Sequence, residues 1–206
     1  MAESETRICN QALARAGSTR INDLEKDGSV PAIHCRTHYE PTRDSLLRLH
    51  WWRFARARAE LSQDTVDPDF EWDNQFILPT DFMRFRSIFE ETNSTSKSRR
   101  HSIEGDRLLT NLDEVSLRYI KKVTDASKFD PLFVEVLVLL LAKKLIPILA
   151  GTEAARLMKD VKDDLKALMP KVLAVDEDET DVGGRSDWNL ARHGGLGIAG
   201  QEERLW

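Results

Sequence analysis

Cysteine is scarce in this chain. Only Cys9 and Cys35 occur, too few for the disulfide framework of a small secreted scaffold. Both fall inside helical patterns on or near apolar faces, so two buried, reduced thiols are expected rather than a disulfide. Long apolar runs are missing as well. The richest stretch, Leu132 to Ala142, contains Glu135 and is closed by Lys143 and Lys144, well short of the roughly 20 apolar residues that span a bilayer. The N-terminal MAESETRICNQ has no apolar signal-peptide core, which leads to the expectation of a protein made and used without secretion or membrane insertion. No strong charge of one sign is present either. The net charge is −5, so composition gives no general argument for nucleic acid or membranes.

The motifs of catalysis are equally thin. No Walker A sequence and no GxSxG elbow occurs. Gly195-Leu196-Gly197-Ile198-Ala199-Gly200 matches GxGxxG, but that pattern has physical meaning only between a strand and a helix, and here it sits in a tail without periodicity. His34 and His38 in HCRTH are one helical turn apart, yet Cys35 stands where a zincin needs glutamate and no further ligands are apparent. No metal or cofactor is expected. Carboxylate pairs are plentiful but fall on solvated faces, and Glu60 and Asp64 are the best of them for a hydrolase.

What is present is one domain's worth of sequence, 206 residues with 41% hydrophobic and 32% charged side chains, enough for a real core. The stretch around which it is organised is RDSLLRLHWWRFARARAEL, Arg43 to Leu61. At helical spacing Leu46, Leu47, His50, Trp51, Phe54 and Ala57 share one face, while Arg48, Arg53, Arg56 and Arg58 fall on the other. This predicts a long second helix from Ser29 to about Leu61, with Pro31 in its first turn and a kink or restart at Pro41. A first helix is predicted over Glu5 to Ala16, capped by Ser4 or Thr6 and closed by Gly17. Between them Ile21 and Leu24 should tuck inward from a loop.

After the polar linker SQDTVDPD the period changes. Phe70, Trp72, Phe76 and Leu78 alternate as in a half-buried strand. Further strands are predicted over Phe82 to Phe89 and Val115 to Val123, with a hairpin of 102–104 and 107–110 turning at Gly105-Asp106. EETNSTSKSRR, 90 to 100, reads as a loop with a basic tip. A third helix, apolar nearly all round, should begin near Ser127 or Asp130, with Pro131 in its first turn and Pro147 and Gly151 near its end. A fourth, capped by Thr152, carries Leu157, Met158, Val161, Leu165, Leu168, Met169 and Val172 as its stripe and ends near Leu173.

The expected fold is therefore mainly α with an inserted antiparallel sheet (α+β): a four-helix core of 1–67 and 124–175, a β insertion over 68–123, and an extended C-terminal arm over 176–206. That arm holds eight acids against three arginines, a net −5. It also keeps the anchors Trp188, Leu190, Leu196, Ile198, Leu205 and Trp206 on a glycine-rich tether, the pattern of a segment that orders on a partner.

In order, ICNQALARAG, INDLEKDGSVPAIHCRTHYEPTRDSLLRLHWWRFARARAEL, ILPTDFMRFRSI and IEGDRLLTN through VSLRYIKKVTDASKFDPLFVEVLVLLLAKKL resemble the head-to-tail adaptors of short-tailed phages, the tail tubular protein A family. The resemblance covers about Arg7 to Leu173. It rests on Tyr-x-x-x-Arg-Asp-x-Leu-Leu, an aromatic-Phe-Ala run, Leu-Pro-x-Asp, Arg-Tyr and Asp-Pro-x-Phe. His50-Trp51-Trp52 departs from it, where His-Pro-Trp is expected. The resemblance implies a structural virion protein without catalysis: a dodecameric ring between portal and tail nozzle, found in the host cytoplasm during assembly, through which DNA passes without specific binding. On that reading the arm's apolar anchors, Trp188 to Trp206, would bind the portal. Arg48, Arg53, Arg56 and Arg58 would serve contacts between ring subunits, facing acids on the fourth helix or tail of a neighbour. Lys97, Arg99 and Arg100 would form a nozzle-facing loop. The alternatives are a phage cell-wall hydrolase using Glu60 and Asp64, and a cytoplasmic DNA-binding module using Arg53, Arg56 and Arg58.

Overall fold

A computed structural model describes residues 3–89 and 100–178. Four helices and two antiparallel sheets make an α+β fold, with the strands inserted between the second and third helices. Helix α1 spans Glu5–Arg15, and the Ser4 hydroxyl caps it by accepting from the Arg7 N–H at 3.3 Å. Gly17 leaves it at φ +66°, the left-handed position that glycine occupies at least cost. Ile21 and Leu24 are buried in the loop that follows.

Helix α2 spans Val30–Leu49 and runs through Pro41 as one element. It ends twelve residues before the predicted Leu61, which corrects the long-helix expectation. His50 turns extended at φ −133° and ψ 168°, Arg53–Ala55 form a single 3-10 turn, and Arg56–Glu60 become strand β1. The physical reason is that the break carries Trp52 inward. Its indole N–H donates to the Leu46 carbonyl at 2.8 Å, and its ring meets Phe133 edge-on at 5.0 Å. A continuous helix would bury Trp51 and leave Trp52 beside the arginines. Strict alternation in Arg56-Ala57-Arg58-Ala59-Glu60 is a strand signal that the helical spacing masked.

Strand β2 is short, Asn74–Ile77. The predicted extension back to Phe70 fails because Phe70 to Trp72 close a γ-turn, with the Trp72 N–H donating to the Phe70 carbonyl at 2.9 Å and Glu71 at φ +73°. Strand β3 is Phe82–Phe89. The hairpin β4, His101–Glu104, and β5, Arg107–Thr110, turns at Gly105 with φ +60°. Strand β6 is Ser116–Lys121. The strands make two sheets rather than one, ordered β1-β6-β3 and β2-β5-β4. Phe76, Leu78, Ile88, Leu108, Leu112, Val115, Leu117 and Tyr119 fill a separate core among them.

Helix α3, Pro131–Leu149, starts at an Asp130 cap whose carboxylate accepts from the Leu132 N–H at 2.8 Å. It packs against all three other helices and is buried on most of its circumference, as its apolar sequence requires. Thr152 does not cap the fourth helix. It lies in a 3-10 turn, Gly151–Glu153, that leads into α4, Ala154–Asp178. α4 thus continues past the predicted end at Leu173. Its stripe packs as read, with Val161 and Val172 fully buried. Among the described residues no helix is long and apolar enough to cross a membrane.

Candidate functional site: an arginine-rich sheet face

Because α2 breaks at His50, the four arginines placed on one helix face are dispersed. Arg48 is exposed in the last turn of α2, Arg53 is exposed in the 3-10 turn, and Arg56 and Arg58 point to one side of β1. The structure assembles a different set. β1 and β3 both pair with β6, and Arg58 stands opposite Arg118, with Ser87 on the far side. Arg56 stands opposite Ile120, with Arg84 beyond it. Alternation sends Ala57, Ala59, Leu117 and Tyr119 to the inter-sheet core and the arginines to the opposite face.

Trp51 lies at the near end of this face. The Arg84 and Arg86 guanidinium carbons lie 4.7 Å and 5.1 Å from its ring centroid, close enough for cation–π attraction. Arg84 Nη1 also donates to the Arg48 and Leu49 carbonyls, each at 3.0 Å, satisfying acceptors that the helix end leaves open. Arg56 Nε donates to the Trp51 carbonyl at 3.0 Å. At the far end Arg118 lies 4.8 Å over Phe89, and Arg58, Arg118, Phe89 and Glu60 line a pocket of about 460 Å³. Arg118 Nε is buried there without a hydrogen-bond partner among the described residues. Arg58, Arg84, Arg86 and Arg118 have no ion pair among the described residues. Glu60 is the one acid in the three strands, against five arginines and Lys121.

Arg84, Arg86 and Arg118 were missed from sequence. The strands that carry them were legible, but nothing local says that β1 and β3 flank β6.

The other candidates fare differently. Trp188, Leu190, Leu196, Ile198, Leu205 and Trp206 lie outside the described residues, as do Lys97 and Arg99. Arg100 is exposed, 5.6 Å over Trp72 and 3.6 Å from Glu71. Glu60 is exposed at the end of β1, and Asp64 is bonded to Arg107. That bond, above all, holds the Asp64 carboxyl below the usual carboxylate range, so it is a poor reservoir for the proton a general acid must supply. His34 and His38 share the α2 flank, and the His38 imidazole is pushed below its ordinary range by burial, then by Lys144 and His34. Among the described residues no group of three or more His, Cys, Asp or Glu is placed to hold a metal ion. Cys9 and Cys35 are free and buried. The hydrogen bond that the Cys9 S–H donates to Cys35, then burial, pushes the Cys9 thiol far above its usual range, which suits packing rather than nucleophilic work.

No protein-family model matches the chain, and no curated protein matches it significantly.

Proposed function

We propose that the chain is a structural adaptor of a phage virion, forming a dodecameric ring between portal and tail nozzle through which DNA passes. The observation that carries the reading is where the motif residues sit. Those that bear the resemblance to tail tubular protein A build the fold. Tyr39, Leu46 and Leu47 are core residues, and Arg43 is fully buried beside Asp44 at 2.8 Å. Asp81, of the Leu-Pro-x-Asp segment, accepts from the Tyr119 hydroxyl at 2.9 Å. Asp130 caps α3, Pro131 occupies its first turn and Phe133 fills the aromatic cluster against Trp52. Motif residues that pack and cap rather than line a cleft are what a structural reading expects.

The sheet face supplies a surface for assembly. Ring closure needs one patch to meet a different patch on the next subunit, and a basic face against an acidic segment is such a pair. The apolar anchors of the arm, Trp188 and Trp206 among them, are the portal-binding element in this reading.

The test is native mass spectrometry of the full chain, alone and mixed with the cognate portal, with a second preparation truncated from Asp181 onward. A twelve-subunit ring on the portal, lost on truncation while the helical fold persists, is the expected result. A protein that ignores the portal, or a truncated chain that binds it at full strength, would overturn the reading or its portal-binding arm respectively.

A further inference from the structure

We infer that the arginine face of the β1-β6-β3 sheet is the dock for the acidic segment Asp176 to Asp181 of a second copy of this chain. The inference rests on the self-assembly reading above and gives that assembly its contact.

The dock is a cluster of guanidinium groups that make no ion pair among the described residues. Arg58, Arg84, Arg86 and Arg118 have no ion pair among the described residues, and Trp51 and Phe89 lie beneath three of those guanidinium groups. Stacking on a ring fixes a guanidinium's plane while leaving its N–H edge open to an acceptor. Arg118 Nε is already withdrawn from solvent and lacks a partner among the described residues, a cost that an incoming carboxylate removes.

The occupant follows from the rest of the chain. α4 offers acids, but Asp160 pairs with Arg156, which also holds Glu153 of the preceding turn, Asp164 pairs with Arg15, and Asp163 stands among Lys159, Lys162 and Lys166. That face is balanced. DEDETD is not: five of its six residues are acidic, with no cation among them. Its first three residues close α4, which ends at Asp178, and 28 residues follow that helix. Nucleic acid fits less well. A long polyanion is repelled by the arm, where the net −5 is concentrated, whereas the carboxylate segment is part of that arm.

The experiment is sedimentation velocity of the full chain at low and high salt, with three preparations. One carries Arg58→Glu and Arg118→Glu. The second carries Glu177→Lys, Glu179→Lys and Asp181→Lys. The third is an equimolar mixture of the two. Wild type should self-associate and lose that association as salt screens the contact. Each variant alone should associate at least roughly tenfold more weakly. The mixture should regain association, because a glutamate-bearing face now meets a lysine-bearing segment. Far-UV dichroism checks the fold, and if the arginine variant fails it, the segment variant with its intact face decides the matter.

A wild type that stays monomeric would overturn the inference, as a segment docking within its own chain would. So would variants that associate like wild type, or a mixture that does not recover. Retention on duplex DNA lost in the arginine variant, with self-association unchanged, would assign the face to nucleic acid instead. Persistent ring formation on the portal by either variant would sink this contact and leave the adaptor reading intact.

Discussion

The indole N–H of Trp52 donates to the carbonyl oxygen of Leu46 at 2.8 Å, across a six-residue gap at the end of α2. The carbonyls of a last helical turn have no partner within the helix, and here a core side chain supplies one. The same ring packs edge-on against Phe133 of α3 and lies 5.2 Å from His50. Trp52 therefore ends the helix, closes the core and starts the strand that presents Arg56 and Arg58.

The two adjacent tryptophans should differ sharply on substitution. Trp52→Ala should cost about 3–5 kcal/mol, as for other buried aromatics. Trp52→Phe should fall between, retaining the ring but leaving the Leu46 carbonyl unpaired, a loss of about 1 kcal/mol beyond packing. Trp51 is half-exposed under Arg84 and Arg86, so Trp51→Ala should cost only about 1 kcal/mol. Urea unfolding of the three variants checks the order. Equal losses at both positions would contradict the break at His50.

Arg43 gives a second prediction. Its side chain is almost wholly buried, with Asp44 at 2.8 Å, Glu40 at 3.5 Å and Glu5 at 3.8 Å. Arg43→Ala leaves three carboxylates together and loses a packed stem, and should cost about 3 kcal/mol at neutral pH. Arg43→Met should recover part of this through the stem alone. The pH dependence follows from Glu5, whose carboxyl burial holds above its ordinary range while Arg43 opposes the shift. A raised folded value means that this group's contribution is present at low pH and lost as pH rises through it. Removing Arg43 enlarges that loss. The variant should therefore be closer to wild type near about pH 4 than near about pH 7, measured by denaturant unfolding at both.

These two sites show what was legible in sequence. Features set by local chemistry were readable: a cap at Ser4 or Thr6, a helix start near Ser127 or Asp130 with Pro131 in its first turn, Gly105 in a hairpin turn, and Ile21 and Leu24 folding inward. The end of α2 was not, because His50 to Ala57 satisfies a helical stripe as well as a strand does. Only the tertiary contacts of Trp52 with Leu46 and Phe133 decide between them. The arginine face was half-legible. Arg56 and Arg58 were singled out, on the wrong element. Arg84, Arg86 and Arg118 join them through strand pairings that span tens of residues, which no local pattern encodes.

Asp64 and Arg107 tie the linker after β1 to the hairpin, and the bond holds the Asp64 carboxyl below its ordinary 3.8. The depressed value means that its stabilisation is present above the unfolded value and lost as pH falls through the folded one. Asp64→Asn should be less stable than wild type at neutral pH and should flatten the acid limb of the stability profile. Unfolding midpoints measured from neutral pH down through the carboxylate range test this. A parallel downward shift at every pH would show that the pair is not the titrating element.

The two tyrosines make the alkaline counterpart. The Tyr119 phenol is pushed up to about 12, first by burial and then by its bond to Asp81. Tyr39 is pushed higher still, again with burial as the leading cause. Neither should ionise near the usual phenolic value of about 10 while the chain is folded. Their raised values also make folding a brake on ionisation: the stabilisation is full below the unfolded value and is lost as pH climbs toward the folded one. Ultraviolet absorbance should therefore show no phenolate step near pH 10, and a single steep step once alkaline unfolding begins. The two residues separate by substitution. The Tyr39 hydroxyl is buried with no hydrogen-bond partner among the described residues, so Tyr39→Phe should be neutral or stabilising. Tyr119→Phe strands Asp81 and should cost about 1 kcal/mol. A phenolate step near pH 10 that survives in Tyr39→Phe and disappears in Tyr119→Phe would mean that Tyr119 is open to solvent, and that Asp81 does not hold β6 against the start of β3.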